Sequence, residues 1–245
     1  VWGKTETLEY STDDLLPPTN APGERYSYSN TNYTILGLII EAVTGNDASA
    51  EIRTRVLEPL GMENTFLESF EEIPGGYVNH YHYATETFQE VAGVHAGFPE
   101  IRPEIVESTA GNLSPEWTAG GIVSSASDLV RWARAIRDGE LVSPQMNEEV
   151  FTYYPPEDEA GRRSRYLQGI SWSPGFYEDF AAFGHSGGTL GFTAYMYWVE
   201  DTDIILVMLT NVGGMHSAMS PNPVGEFFRR TWLPAVMVYL DNVTP

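Results

Sequence analysis

Two short stretches of this 245-residue chain bring together residue types that can do chemistry. The first is Tyr26-Ser27-Tyr28-Ser29-Asn30-Thr31-Asn32-Tyr33, which sets a Tyr-x-Asn triplet, Tyr28-Ser29-Asn30, between a loop and an apolar segment. Alone, such a triplet is common, and a tyrosine ahead of a helix usually packs. A phenol has a pKa of about 10, so only roughly 0.1% is phenolate at pH 7, and a tyrosine base needs a cation nearby. The second stretch is Phe183-Gly184-His185-Ser186-Gly187-Gly188-Thr189-Leu190-Gly191-Phe192. Glycines around a His-Ser pair let a ligand approach the backbone closely and leave N–H groups for an oxyanion. The plain alternative is a Gly-rich turn between strands.

Two other chemistries are considered. Gly184-His185-Ser186-Gly187-Gly188 also fits Gly-x-Ser-x-Gly, the nucleophile elbow, and Asp203 and His216 follow in the matching order. The elbow must lead into a helix, however, whereas Thr189 onward reads as strand. The partners also follow Ser186 by only 17 and 30 residues, too few for the intervening strand–helix units. His80, His82 and His95 lie close in sequence, but no acidic ligand stands at a recognisable spacing. Histidines in an aromatic-rich loop are more often surface or stacking residues, so no metal is expected.

The elements that must position these residues follow from periodicity. Ile35, Leu36, Ile39, Ile40 and Val43 recur at helical spacing over 32–44, and Gly45 supplies a stop. A second helix is predicted from Asp47 to Leu57, ahead of the turn Pro59-Leu60-Gly61-Met62. Residues 70–118 show little periodicity and read as long loops, with short hairpins at most, lining a site. Ser125-Ala126-Ser127-Asp128 resembles a capping box before Leu129, Trp132, Ala133 and Ile136, with Gly139 as terminator. The period then changes. Phe192–Val199 and Ile204–Leu209 read as a hairpin across Glu200-Asp201-Thr202-Asp203, its second strand buried on both faces. A closing helix over 223–240 sets Val224, Phe227, Phe228, Trp232, Val236 and Tyr239 on one stripe, despite Pro234.

Composition narrows the partners. There are 34 Asp+Glu against 13 Lys+Arg, a formal charge of −21, which repels phosphate backbones and anionic membranes and argues against nucleic acid. Cysteine is absent, which removes disulfides, thiolate metal sites and cysteine catalysis. No apolar run reaches the length of a membrane span.

The run from Tyr26 through Gly45, the Pro59–Met62 turn, Ala119-Gly120-Gly121-Ile122-Val123-Ser124-Ser125 and His185-Ser186-Gly187-Gly188 together resemble the β-lactamase-related serine hydrolases. That family includes class C β-lactamases, D-Ala-D-Ala carboxypeptidases, D-aminopeptidases and related esterases. The resemblance implies an α/β (α+β) fold: an antiparallel sheet flanked by helices, with residues 1–45 and 181–245 in the sheet domain. Residues 46–180 would then form a mainly helical, loop-rich region over the cleft. It implies acyl transfer to water without a cofactor, on an amide, a D-peptide, a β-lactam or an ester, in a periplasmic or secreted setting. Tyr28 would handle the proton, Asn30 and His185 would bind substrate, and Gly187 and Gly188 would keep the strand open. The Gly188 N–H would be an oxyanion donor.

Two departures qualify the resemblance. The family nucleophile is the serine of Ser-x-x-Lys, N-terminal to Tyr-x-Asn, and the only lysine here is Lys4. The motif therefore has to come from a companion N-terminal segment, and the chain alone is expected to be inactive. The alternative is a penicillin-binding-like binding module or a truncated fragment. His185 also stands where many members carry lysine. A mostly neutral imidazole favours peptidase or esterase activity over strong β-lactamase activity.

Overall fold

The computed structural model describes residues 3–11, 17–24, 26–92, 97–152, 167, 169–214 and 222–243. Helix α1, Asn30–Thr44, ends at Gly45 in a left-handed conformation (φ 73°). Its contact with the rest of the fold is set by a glycine. A Cβ on Gly37 would lie 2.5 Å from Thr118 Oγ1 and 2.8 Å from the Trp117 ring. Leu38 and Ile40 pack on a small core of Ala48, Leu67 and Trp117. Of the apolar positions at helical spacing Ile40 packs inward, whereas Ile35, Leu36, Ile39 and Val43 are exposed, Val43 to 80%.

Asp47 caps α2, Ala48–Ile52, by accepting the Ser49 N–H at 2.9 Å, and a π turn carries the helix on to Leu57. The loop-like middle of the chain holds more strand than its periodicity suggests. Strand β1 (Phe66–Leu67) pairs with β5 (Ile122–Val123). Strands β2 (Tyr81–Tyr83), β3 (Glu100–Arg102) and β4 (Ile105–Glu107) enclose helix α3, Glu86–Ala92. These strands are two or three residues long, below what a period-2 pattern can reveal. Helix α4, Trp117–Gly120, leads to β5 and then to α5, Ala126–Asp138. Ser125 caps α5 by accepting the Asp128 N–H at 3.2 Å, and left-handed Gly139 ends it. Asp128 is fully buried and accepts the Asn64 N–H, the Thr65 hydroxyl and the Arg131 guanidinium. It ties α5 to the β1 segment. Helix α6 spans Pro144–Val150.

The principal sheet is antiparallel in the order β6 (Ser171–Tyr177), β7 (Phe180–Thr189), β8 (Phe192–Val199), β9 (Ile205–Thr210). Strand β10, Val212–Gly213, leaves β9 and pairs in parallel with β2, forming the smaller sheet β10-β2-β4-β3. Helix α7 (Pro223–Phe227), a π turn and α8 (Leu233–Val243) close the described chain. One core joins them: Ala182, Tyr197, Val199, Leu206 and Met208 of the sheet meet Val224, Phe228, Leu233 and Met237. Helix α5 lies against β8 and β9. The expected α/β class is therefore the one observed.

Two details depart from expectation. Strand β9 alternates, with Leu206 and Met208 buried and Leu209 exposed, so it is not buried on both faces. In the closing helix Phe227 and Tyr239 are exposed, and the buried stripe runs Val224, Phe228, Leu233, Met237. The π turn at Phe228–Trp232 inserts an extra residue just ahead of Pro234 and rotates the later positions.

Candidate active site

Tyr28 stands two residues before α1, whose position is fixed by the Gly37 contact and by the Thr118 hydroxyl donating to Tyr33 O at 2.8 Å. The Tyr28 ring stacks on His185 of β7, with centroids 6.1 Å apart and planes 27° apart. Both line an open cavity of about 340 Å³ together with Tyr33, Leu167 and Gly169. Burial first, and the charge Tyr28 would carry as phenolate second, push the Tyr33 phenol above its ordinary range. Tyr33 is thus kept as a neutral donor beside Tyr28. Asn30 is the first residue of α1, exposed, and is not in the wall of this cavity.

Strand β7 carries the rest. The His185 Nδ1 lies 2.5 Å from Ser186 O, and a carbonyl can only accept, so Nδ1 bears a proton. The register with β8 is unbroken from Ala182↔Val199 to Thr189↔Phe192. Gly184 is required by close packing, since a Cβ there would meet Met196 O at 2.0 Å. Side chains alternate along a strand, so His185, Gly187 and Thr189 share one face. Gly187 lies between the other two, and a Cβ on it would meet nothing within 4 Å. The outcome is a bare patch, bounded at its two ends by His185 and Thr189, about 13 Å apart at strand rise.

Among the described residues the edge of β7 is open as well. Its pairing with β6 stops at Gly184, opposite Ser171, whose hydroxyl donates to Gly184 O at 2.7 Å. That bond shows Gly184 turning its carbonyl toward the β6 side. Alternation therefore aims the backbone groups of Ser186 and Gly188 along the same edge, beyond the last β6 pair. The Gly188 N–H is placed by this alternation on the side of β7 away from β8.

Sequence reasoning missed the other end of the patch. The Thr189 hydroxyl donates to Glu116 Oε1 at 2.9 Å. Glu116 immediately precedes Trp117, which is 1% exposed and held at φ 32°, a strained value for a non-glycine residue. No pattern in sequence marks a lone glutamate at such a bend.

His80 and His82 pack against aromatic rings, Phe192 and Phe88, and neither lies at the surface. Both are buried, at 0% and 1% exposure, on and beside β2. His80 Nδ1 lies 2.8 Å from Ser108 Oγ, and its ring packs 4.5 Å from Phe192. Burial, against an opposing pull from Glu107 and Glu68, lowers its pKa. His82 Nδ1 accepts the Gly191 N–H at 3.1 Å. Gly191 turns β7 into β8 at φ 89°, and a Cβ there would strike His80 Nδ1 at 1.9 Å. The two histidines thus clamp the turn that follows Thr189; His95 lies outside the described residues.

The elbow alternative fails on geometry. Ser186 sits within a ten-residue strand and no helix follows it. Asp203 faces Arg137 at 3.5 Å at the far end of β8, and His216 lies outside the described residues.

Comparison with known proteins agrees with the fold. The Beta-lactamase family model matches residues 10–224. The chain belongs to the beta-lactamase family. Among curated relatives of this family member, penicillin-binding protein 4* of Bacillus subtilis (strain 168) is 29% identical over 195 residues, 78% of this chain and 40% of that protein. Among solved structures, D-amino acid amidase from Ochrobactrum anthropi SV3 superposes with a TM-score of 0.77 at 26% identity, covering 97% of this chain and 66% of that one. An octameric penicillin-binding protein homologue from Pyrococcus abyssi gives 0.62 at 27% identity, covering 85% and 43%. The chain spans less than half the length of the curated relatives first matched.

Proposed function

We propose that this beta-lactamase family chain forms part of a serine hydrolase that cleaves amides or peptides through an acyl-enzyme. The observation that carries the proposal is the Tyr28–His185 stack at one end of the bare, open-edged strand. A serine hydroxyl brought beside Tyr28 attacks a carbonyl lying over Gly187. Tyr28 takes the hydroxyl proton and returns it to the leaving amine, and Gly188 N–H stabilises the oxyanion. Water then attacks the ester, with Tyr28 again moving the proton. Asn30, at the start of α1, would join the substrate amide only after local adjustment.

The serine and the lysine that Tyr28 needs come, in this proposal, from a companion N-terminal segment. Three surfaces support it. Among the described residues the outer edge of β9 has no neighbouring strand, an unusual state for an apolar strand. Helix α1 exposes Ile35, Leu36, Ile39 and Val43. The Tyr28–His185 cavity opens outward. The names of similar proteins, a D-amino acid amidase and a penicillin-binding protein, fit amide and peptide substrates. Action in the periplasm or outside the cell belongs to the same proposal, by resemblance to the family. His185 in place of a permanent cation favours peptidase or esterase over strong β-lactamase turnover.

The test is fluorophosphonate labelling of the full-length protein, with mass spectrometry of the labelled peptide. Label on a serine outside this chain, kept in Ser186→Ala, supports the proposal. Absence of label and of ester turnover would instead leave a penicillin-binding-like binding module.

A further inference from the structure

We infer that Glu116 is a specificity-determining residue that takes a free ammonium group on the substrate, so that unblocked amino acid amides or peptide N-termini are preferred to N-acylated ones. The inference rests on the hydrolase proposal and adds a substrate class to it.

Three observations carry it. Thr189 shares a face of β7 with Gly187 and directly follows Gly188, and its hydroxyl binds Glu116 Oε1 at 2.9 Å. The carboxylate is therefore fixed one strand step beyond the oxyanion donor. The second oxygen has room beside it: even a Cβ built on Gly120 would stand 3.5 Å from Glu116 Oε2, an ordinary contact. Glu116, Gly120 and Thr189 all line a groove of about 600 Å³, bordered by apolar Phe66, Leu113 and Phe192. A carboxylate held by one hydroxyl in a largely apolar groove has unused acceptor capacity, and a cation is the complement.

The spacing suits the chemistry. In an amino acid amide the ammonium is two bonds from the scissile carbonyl carbon. With that carbon over Gly187 and its oxygen toward Gly188 N–H, the Cα substituents extend toward Thr189 or toward Tyr28. The ammonium is drawn to the Glu116 end, which orients the leaving amine toward Tyr28. The strained bend at Trp117 aims Glu116 into this groove, and strain of this kind concentrates where a side chain must be directed.

Binding to the full-length protein can be separated from turnover with D-phenylalaninol and N-acetyl-D-phenylalaninol, neither of which has a carbonyl to cleave at the reacting position. By titration calorimetry the free amine should bind at least about tenfold tighter, and Glu116→Gln should bring that ratio close to one. Should Glu116→Gln fail to fold, the wild-type preference itself must shrink when salt rises from about 50 to about 500 mM. Equal binding of the two probes, no binding of either, a preference insensitive to salt, or a ratio unchanged in Glu116→Gln overturns the inference. Turnover of p-nitrophenyl acetate, measured alongside, reports on the hydrolase proposal separately.

Discussion

The ring of Tyr28 stacks on that of His185 at 6.1 Å, joining the start of α1 to the middle of β7. Two segments 157 positions apart in the chain (185 − 28) thus share one wall of a cavity. If this wall handles the proton, Tyr28→Phe in the full-length protein keeps the stack and loses the hydroxyl. Turnover of an amino acid p-nitroanilide should fall about a hundredfold to ten-thousandfold, mainly in kcat. Steady-state kinetics checks this; a change confined to KM would remove Tyr28 from the chemistry.

Gly184 and Gly187 lie three residues apart on β7 and should respond oppositely to alanine. A methyl at 184 meets the β8 backbone at 2.0 Å, so Gly184→Ala should cost about 3 kcal/mol of stability. A methyl at 187 meets nothing, so Gly187→Ala should stay within about 0.5 kcal/mol of wild type while weakening substrate binding. Urea denaturation of the two variants decides.

Asp128 accepts from Asn64, Thr65 and Arg131 while fully buried. Asp128→Ala would leave the Asn64 N–H and the Thr65 hydroxyl without this acceptor, at a cost of about 3 kcal/mol. Thermal melts should show a lowered midpoint.

His80 should make stability depend on pH. Burial lowers its folded-state pKa, so below the unfolded value of about 6.5 the unfolded chain gains a proton that the folded chain refuses. The contribution is complete above that pH and is lost as pH falls toward the folded value. Denaturation midpoints measured between about pH 5 and pH 7 should fall on the acid side. His80→Gln should have a flatter slope over that range.

Asp47 works further down the scale. Burial alone would raise its carboxyl, but Lys4 and Ser49 outweigh burial and bring it to about 2. The stabilisation is present above the unfolded value of about 4 and disappears between there and about 2. NMR titration of Asp47 should give a midpoint well below that of an exposed aspartate, and Lys4→Met should return it toward normal.

Periodic elements were legible in the sequence. Gly45 and Gly139 ended helices as expected, and the capping serine at 125 and the 192–210 hairpin lay where pattern put them. Burial was less legible, because it depends on what packs opposite. Helix α1 turns Gly37, Leu38 and Ile40 to the Trp117 side and leaves the rest of its apolar stripe exposed, and a π turn re-phases the closing helix. Of the site, Tyr28 and His185 were singled out by motif and do meet. Glu116 was invisible, since its role depends on a bend at Trp117 and a hydroxyl 73 residues away, which leave no local signature.

The bare patch at Gly187 has an evolutionary consequence. A centre without side chains imposes few demands on what lies over it, so under the proposed function discrimination between substrates would be delegated to the two ends. Those ends belong to different chain segments, Tyr28 before α1 and Glu116 before α4, and neither packs on the other among the described contacts. With the roles proposed above, preference for the acyl group would drift through replacements near position 116 while the Tyr28 end stays intact. Descendants of one such scaffold can diverge in diet by single steps without passing through a dead enzyme.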